Sequence, residues 1–177
     1  MRQLYYIGPQ QLEWRQAPDA RLEAPTDALV RPIAVAACDG DVAGIRGTLP
    51  LAGPFSMGHE FVAEVLELGE DVREFKPGQL IVLPVQISCG QCARCTAGYT
   101  ADCRGVSQPA AWGLGAFGGN WPGAFSDLLR IPYASHMMVP VPEGVSIEAV
   151  GAPGTTSRTL GGPWRHTWWI RPAPPCS

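Results

Sequence analysis

Lysine is nearly missing from this 177-residue chain: of its 13 basic side chains only Lys76 is a lysine, and the formal net charge is −3. No basic cluster exists to meet a phosphate backbone, so nucleic acid is not expected as a partner. Long apolar runs are missing too. The longest, such as Ile33 to Cys38 and Leu80 to Val85, fall far short of the roughly 18 residues that a membrane helix needs, and no membrane span is expected. The amino terminus, Met1-Arg2-Gln3-Leu4-Tyr5-Tyr6, lacks the apolar run ending in small residues that marks a secretory signal, so a reducing, cytoplasmic setting is expected. Sustained helical periodicity is also lacking. With 21 glycines and 18 prolines, and no collagen-like period, the chain favours tight turns and short strands, which excludes a helical bundle. What is plentiful is apolar content, 46% of residues, enough for one good core.

Acid runs out along the chain. All 16 acidic residues lie at or before Glu148, whereas the last 29 residues carry three arginines and no acid. The composition breaks near Gly151. Residues 151–177 hold five prolines and three of the six tryptophans, without helical or alternating periodicity, and are expected to form an aberrant, disordered tail. Arginine, proline, glycine and tryptophan all have G- and C-rich codons, so a shifted reading frame or a truncated gene is the expected origin of this segment.

Before the break the pattern is mostly strand. Leu4 to Ile7 and Gln11 to Gln16 read as a hairpin around Gly8-Pro9, and Ala28 to Ala37 as a strand despite Pro32. Phe61 to Leu68 alternates as a half-buried strand does. Gln79 to Val85, Phe125 to Ile131 and Met137 to Val141 supply three more short strands, the sum being a partly open, barrel-like β domain over residues 1–150. Helix is scarce: Asp41 to Arg46 makes a turn or two, capped by Asp39 or Asp41, and Ser146 opens another that Pro153 stops.

The strongest chemical signal is Cys89-Gly-Gln-Cys92-Ala-Arg-Cys95 followed by Cys103. Four thiolates spaced by two, two and seven residues, interrupted by Gly90 and Gly98, can wrap one tetrahedral ion about 2.3 Å from each sulfur. A disulfide pair does not suit a reducing setting. An iron–sulfur cluster is the competing reading, but the ferredoxin run closes with a cysteine after three residues and then proline, whereas Cys103 comes after seven and precedes Arg104. Residues 86–105 are therefore read as a closed, structural zinc lobe. A second constellation lies upstream: Cys38 ends one expected strand and Gly58-His59-Glu60 begins another, so a thiolate and an imidazole can face a common point at a sheet edge. Read from the residues alone, these are more simply a buried thiol and a histidine satisfied by a carbonyl, since two ligands do not define a site.

Cys38-Asp-Gly-Asp41, Gly58-His59-Glu60, Lys76-Pro77-Gly78 and the four-cysteine lobe, in this order and spacing, resemble the catalytic domain of the zinc-dependent medium-chain alcohol dehydrogenases. The resemblance covers about residues 1–150. It implies a GroES-like fold in which Cys38 and His59 ligate a catalytic zinc, with Glu60 beside the ion and Asp41 orienting His59. It also implies zinc as a Lewis acid on the oxygen of a small-molecule alcohol or aldehyde, with hydride passing to NAD or NADP in an intact family member.

Three departures qualify what the resemblance implies. Gly40 stands where the family commonly has Ser or Thr, leaving water or Asp39 to relay a proton. Gln79 replaces a usual Asp. No acid or well-placed thiol follows Ala149 to supply the third ligand, and Cys176 is a poor substitute. Gly113-Leu-Gly115-Ala-Phe-Gly118 matches a dinucleotide fingerprint by letter, yet Gly119-Asn120-Trp121-Pro122 cannot open a helix, so 105–122 is read as a glycine-rich loop with Trp112, Phe117 and Trp121 as pocket walls or plain packing. The Rossmann domain is expected to be missing, the chain to lack turnover by itself, and its exposed apolar face to favour homo-oligomers. The reading from another class is a non-catalytic GroES-like interaction module, co-chaperonin-like or zinc-stabilised; the lobe and Gly58-His59-Glu60 argue for enzyme ancestry instead.

Overall fold

A computed structural model describes residues 1–147 and the backbone of residues 168–170. Strands β1 (Arg2–Gly8) and β2 (Gln11–Gln16) form the expected hairpin, Leu4 opposite Trp14, with Gln10 at φ 59° in the turn. Strand β3 (Ala28–Ala37) leads into helix α1 (Asp39–Ile45), and β4 (Phe55–Ser56) then pairs with the free edge of β1. Strand β5 (Glu60–Leu68) is followed by β6 (Leu80–Val82) and by the cysteine lobe with its single helical turn α2 (Ala93–Thr96). Strand β7 (Leu129–Ile131), the turn α3 (Ala134–Met137) and β8 (Val139–Pro140) close the domain.

These strands make a three-stranded sheet, β2-β1-β4, and a six-stranded antiparallel one, β7-β3-β5-β6-β8, with β9 (Trp168–Ile170) added beside β3. Both sheets feed one core, in which Tyr6, Val35, Phe61, Ile81, Trp112 and Met137 are fully or almost fully buried. Pro32 survives inside a ten-residue strand because it sits where pairing relaxes. Its register against β5 shifts between Pro32 and Ala34, and on the other edge β7 pairs only Ala28 to Val30 while β9 pairs Val35 to Ala37. A missing N–H costs little in such a gap.

Several boundaries differ from the sequence expectation. Helix α1 starts two residues early, with Cys38 rather than an aspartate at its N-cap. Met137 ends a helical turn instead of opening a strand, and the expected 125–131 strand is split: Leu129–Ile131 pairs with β3, while Ser126 makes an isolated bridge to Gln3 of β1. The letter-match at Gly113 to Gly118 ends in a 3-10 turn, Gly115–Gly118, not an α-helix. Its first glycine is needed for a close crossing: a Cβ at Gly113 would lie 2.4 Å from the carbonyl oxygen of Gly58. Three tail residues pair with β3; the segment 149–156 where a third ligand was sought, and Cys176, lie outside the described residues. Among the described residues no helix is long and apolar enough to cross a membrane.

Candidate metal centres

Antiparallel pairing sets Ala36 of β3 opposite Glu60 of β5, so continuing the register brings Cys38 and His59 to the same end of the sheet. Gly58 fixes the approach: its φ is 103°, and a Cβ there would lie 2.7 Å from the backbone nitrogen of Phe125. The turn into α1 then folds Asp41 back over Cys38. One ligand atom each of Cys38, Asp41 and His59 lies within 4.8 Å of the others.

The hydrogen bonding differs in detail from what the resemblance implies. Asp41 Oδ2 accepts the backbone N–H of Cys38 at 3.0 Å, while its Oδ1 is 3.8 Å from His59 Nδ1, too far for a hydrogen bond. His59 is 3% exposed, yet its Nδ1 has no partner; Glu60 is 2% exposed and its Oε1 has none either. Buried polar atoms are rarely left so, and an orphaned imidazole nitrogen beside a thiol and a carboxylate is the donor set of a divalent metal. Glu60 falls outside the converging set of three, so Asp41 rather than Glu60 is the carboxylate within reach. Burial pushes the Cys38 thiol up to about 11, reinforced by the Asp41 carboxylate. Burial also raises the Glu60 carboxyl, opposed by His59 and reinforced by Asp41. A site that resists carrying this much negative charge alone is suited to a cation.

The second centre is the lobe. Cys89, Cys92, Cys95 and Cys103 bring their four sulfurs within 4.8 Å of one another, compatible with the roughly 3.8 Å sulfur spacing of a tetrahedral ion 2.3 Å from each. Their acidities diverge. The Arg104 N–H and then the Cys95 N–H, both aimed at Cys92, lower its thiol to about 5, whereas burial drives Cys95 up to about 12. Burial would raise Cys103 as well, but the N–H groups of Cys89 and Gly105 outweigh it and hold the thiol below its ordinary value. One thiolate forms readily; four ionised together need a dication between them. The residues of both centres therefore fit zinc.

Of the three aromatics named as pocket walls, Trp112 is core: it is fully buried, edge-on to Phe61 at 6.3 Å and to Trp121 at 5.8 Å. Phe117 is 70% exposed. Gly40 is exposed, and a Cβ there would meet only Cys38 Sγ, at an ordinary 3.4 Å. A cavity of about 510 Å³ opens elsewhere, between the end of the lobe and the start of β3, lined in part by Asp27, Gln108, Trp121 and Arg130. Trp121 of the 105–122 loop thus does line a pocket, while the opposite wall, Ala24 to Asp27, comes from a segment with no sequence signal for it.

Comparison with known proteins places these centres in context. The alcohol dehydrogenase GroES-like domain matches residues 24–143. Similar relatives include a glutathione-independent formaldehyde dehydrogenase of Pseudomonas aeruginosa, 29% identical over 80% of this chain and 37% of that protein. Another is zinc-type alcohol dehydrogenase B of Aspergillus flavus, 29% identical over 82% of this chain and 32% of that one. Among solved structures, an alcohol dehydrogenase from Thermus sp. ATN1 superposes with a TM-score of 0.74 at 30% identity, covering 84% of this chain and 42% of its own. The chain thus spans about a third to two fifths of the length of these three proteins.

Proposed function

The chain belongs to the alcohol dehydrogenase GroES-like domain family, and from that premise we propose that it is the zinc-binding half of an oxidoreductase acting on a small-molecule alcohol or aldehyde with NAD or NADP. The observation that carries this reading is the convergence of Cys38, Asp41 and His59 at one sheet end, with the His59 Nδ1 orphaned, alongside a separate four-cysteine cluster. Cys38 and His59 would hold the catalytic zinc, and Cys89, Cys92, Cys95 and Cys103 the structural one. When bound at the first site, zinc supplies Lewis-acid polarisation of the substrate oxygen.

The chain's own residues do the rest. Asp41, bonded to the Cys38 N–H, fixes the β3–α1 corner so that the thiol faces His59. Glu60 lies buried beside them, its carboxyl raised by that burial. Gly40 offers no hydroxyl, so a proton leaving the substrate passes to water or to Asp39, which lies exposed next to it. Hydride transfer also requires a bound nicotinamide, and no dinucleotide-binding fold occurs among the described residues; the chain alone is proposed to be inactive.

Metal analysis of the purified chain under stepwise chelation tests the reading. Two classes of zinc are expected: one tightly held, abolished by Cys95→Ser, and one stripped by a mild chelator and abolished by His59→Ala. An iron–sulfur chromophore, or a zinc content indifferent to both substitutions, would overturn it.

A further inference from the structure

One short element grips the cysteine lobe at both of its ends. Strand β7 reverses into α3 through Tyr133, whose φ is 52°, and α3 is anchored independently of the lobe: Ala134 donates its N–H to the Thr26 carbonyl at 2.8 Å, and Ala134 and Met137 are fully buried. From this base His136 Nε2 reaches to 2.8 Å from the hydroxyl of Ser88, the residue before Cys89. Ser88 is 2% exposed, and its N–H donates to Met137 Sδ at 3.4 Å. The imidazole also closes over Gly90, whose φ is 75° and where a Cβ would lie 2.4 Å from the ring. At the other end the Tyr133 hydroxyl donates to the carbonyl of Gly105, two residues after Cys103, at 3.4 Å, and the Tyr133 ring packs against the cysteine cluster.

None of the three hydrogen bonds uses a ligand sulfur, so none has to break for an ion to bind. A loop whose ends are loose must be ordered by the metal it binds, and that ordering is subtracted from affinity; a loop whose ends are already fixed binds more tightly. We propose that His136 and Tyr133 are positioning residues, a clasp that sets the two ends of the lobe so that Cys89 and Cys103 present their sulfurs together before the ion arrives. This rests on the reading of the lobe as a zinc site. Groups one shell beyond metal ligands typically carry 10- to 100-fold in affinity, the range expected here.

The test compares Ser88→Ala, His136→Ala, the double variant and Tyr133→Phe in the full chain, by zinc competition against a chromophoric chelator and by amide exchange of the zinc-free protein. Ser88→Ala is expected to weaken the tight zinc about tenfold, His136→Ala at least as much because it also uncovers Gly90, and the double variant no more than His136→Ala, because the Ser88–His136 bond is shared; Tyr133→Phe weakens it separately. Exchange at Gly90 and Gly105 should rise in the zinc-free variants while the unfolding midpoint of the β domain stays within a few degrees, which a merely global loss of stability would not show. Unchanged affinity, or additive losses from Ser88→Ala and His136→Ala, overturns the clasp. If the unaltered chain takes up no tight zinc, the reading of the lobe fails. The exchange data then decide the clasp by themselves, faster exchange in His136→Ala supporting it and unchanged exchange refuting it.

Discussion

Replacing Asp41 with asparagine separates the shape of its side chain from its charge. The amide oxygen can still accept the Cys38 N–H, now 3.0 Å from Oδ2, so the β3–α1 corner is retained. Exchanging a charged acceptor for a neutral one costs about 1 kcal/mol of stability. The charge acts on the thiol. With Asp41 and Cys38 ligand atoms no more than 4.8 Å apart, two unit charges repel by about 0.9 kcal/mol in water and about 3.5 kcal/mol at an effective dielectric of 20. Cys38 is half-buried, between these limits, so its thiol should ionise about one pH unit lower than the present value of about 11. Burial, the larger cause, remains. The same substitution removes negative charge from the site and should weaken zinc there by about 10- to 100-fold. Thiolate formation and metal affinity thus move in opposite senses. The assay is iodoacetamide alkylation against pH in a Cys176→Ser background with the lobe zinc in place, paired with chelator competition for the labile zinc. An alkylation midpoint that stays or rises, or an unaltered zinc affinity, would refute the assignment of Asp41 as the charge that governs this corner.

Two further outcomes follow from the geometry. Asp127 accepts the N–H of Arg2 at 2.6 Å and its guanidinium at 3.1 Å; burial alone would raise the carboxyl, but Arg2 outweighs it and the folded-state value is depressed. Its contribution is therefore present above the ordinary aspartate range near 3.9 and lost as pH falls through the folded value. Because the pair is about a third exposed, Asp127→Asn should cost only about 1 kcal/mol at pH 7 in urea unfolding, the difference closing in acid; a gap that widens in acid contradicts this. Gly58→Ala should destabilise by about 2–4 kcal/mol, from strain at positive φ and collision with the Phe125 backbone, and should abolish the labile zinc while sparing the lobe zinc, as metal analysis after mild chelation will show.

How much of this could be read beforehand depended on whether the signal was local. Cys89 to Cys103 carry their geometry in their spacing, and the β-branched run from Ala28 to Ala37 declared its strand over its whole length. The pair Cys38 and His59 could be placed at a common sheet edge from the strand ends, but only family resemblance singled it out as a metal site, because its cause is the β3–β5 register, a non-local fact. Asp41 was read as a partner of His59, yet its hydrogen bond goes to Cys38, since helix α1 begins two residues earlier than its composition suggests. The misreading of Met137 has the same origin. Ala134 to Met137 is too short to show a period, and what fixes it is burial of Ala134 and Met137 against distant strands. The fingerprint glycines at 113–118 serve a crossing with Gly58, a contact no linear motif records.

The two centres also differ in when they can exist. Cys89 and Cys103 are 14 residues apart along the chain, so a lobe can close around an ion as a short local loop, with little entropy lost and no need of the sheets. Cys38 and His59 meet only once β3 and β5 have found their register, and that pairing in turn buries Val35 and Phe61 in a core completed by Trp112 and Met137, far downstream. During synthesis the order of metal loading therefore runs against the order of the sequence. The later cysteines can hold an ion loosely as soon as residue 103 is available and tightly once His136 and Tyr133 clasp the lobe, while the earlier Cys38 waits for nearly the whole β domain to fold.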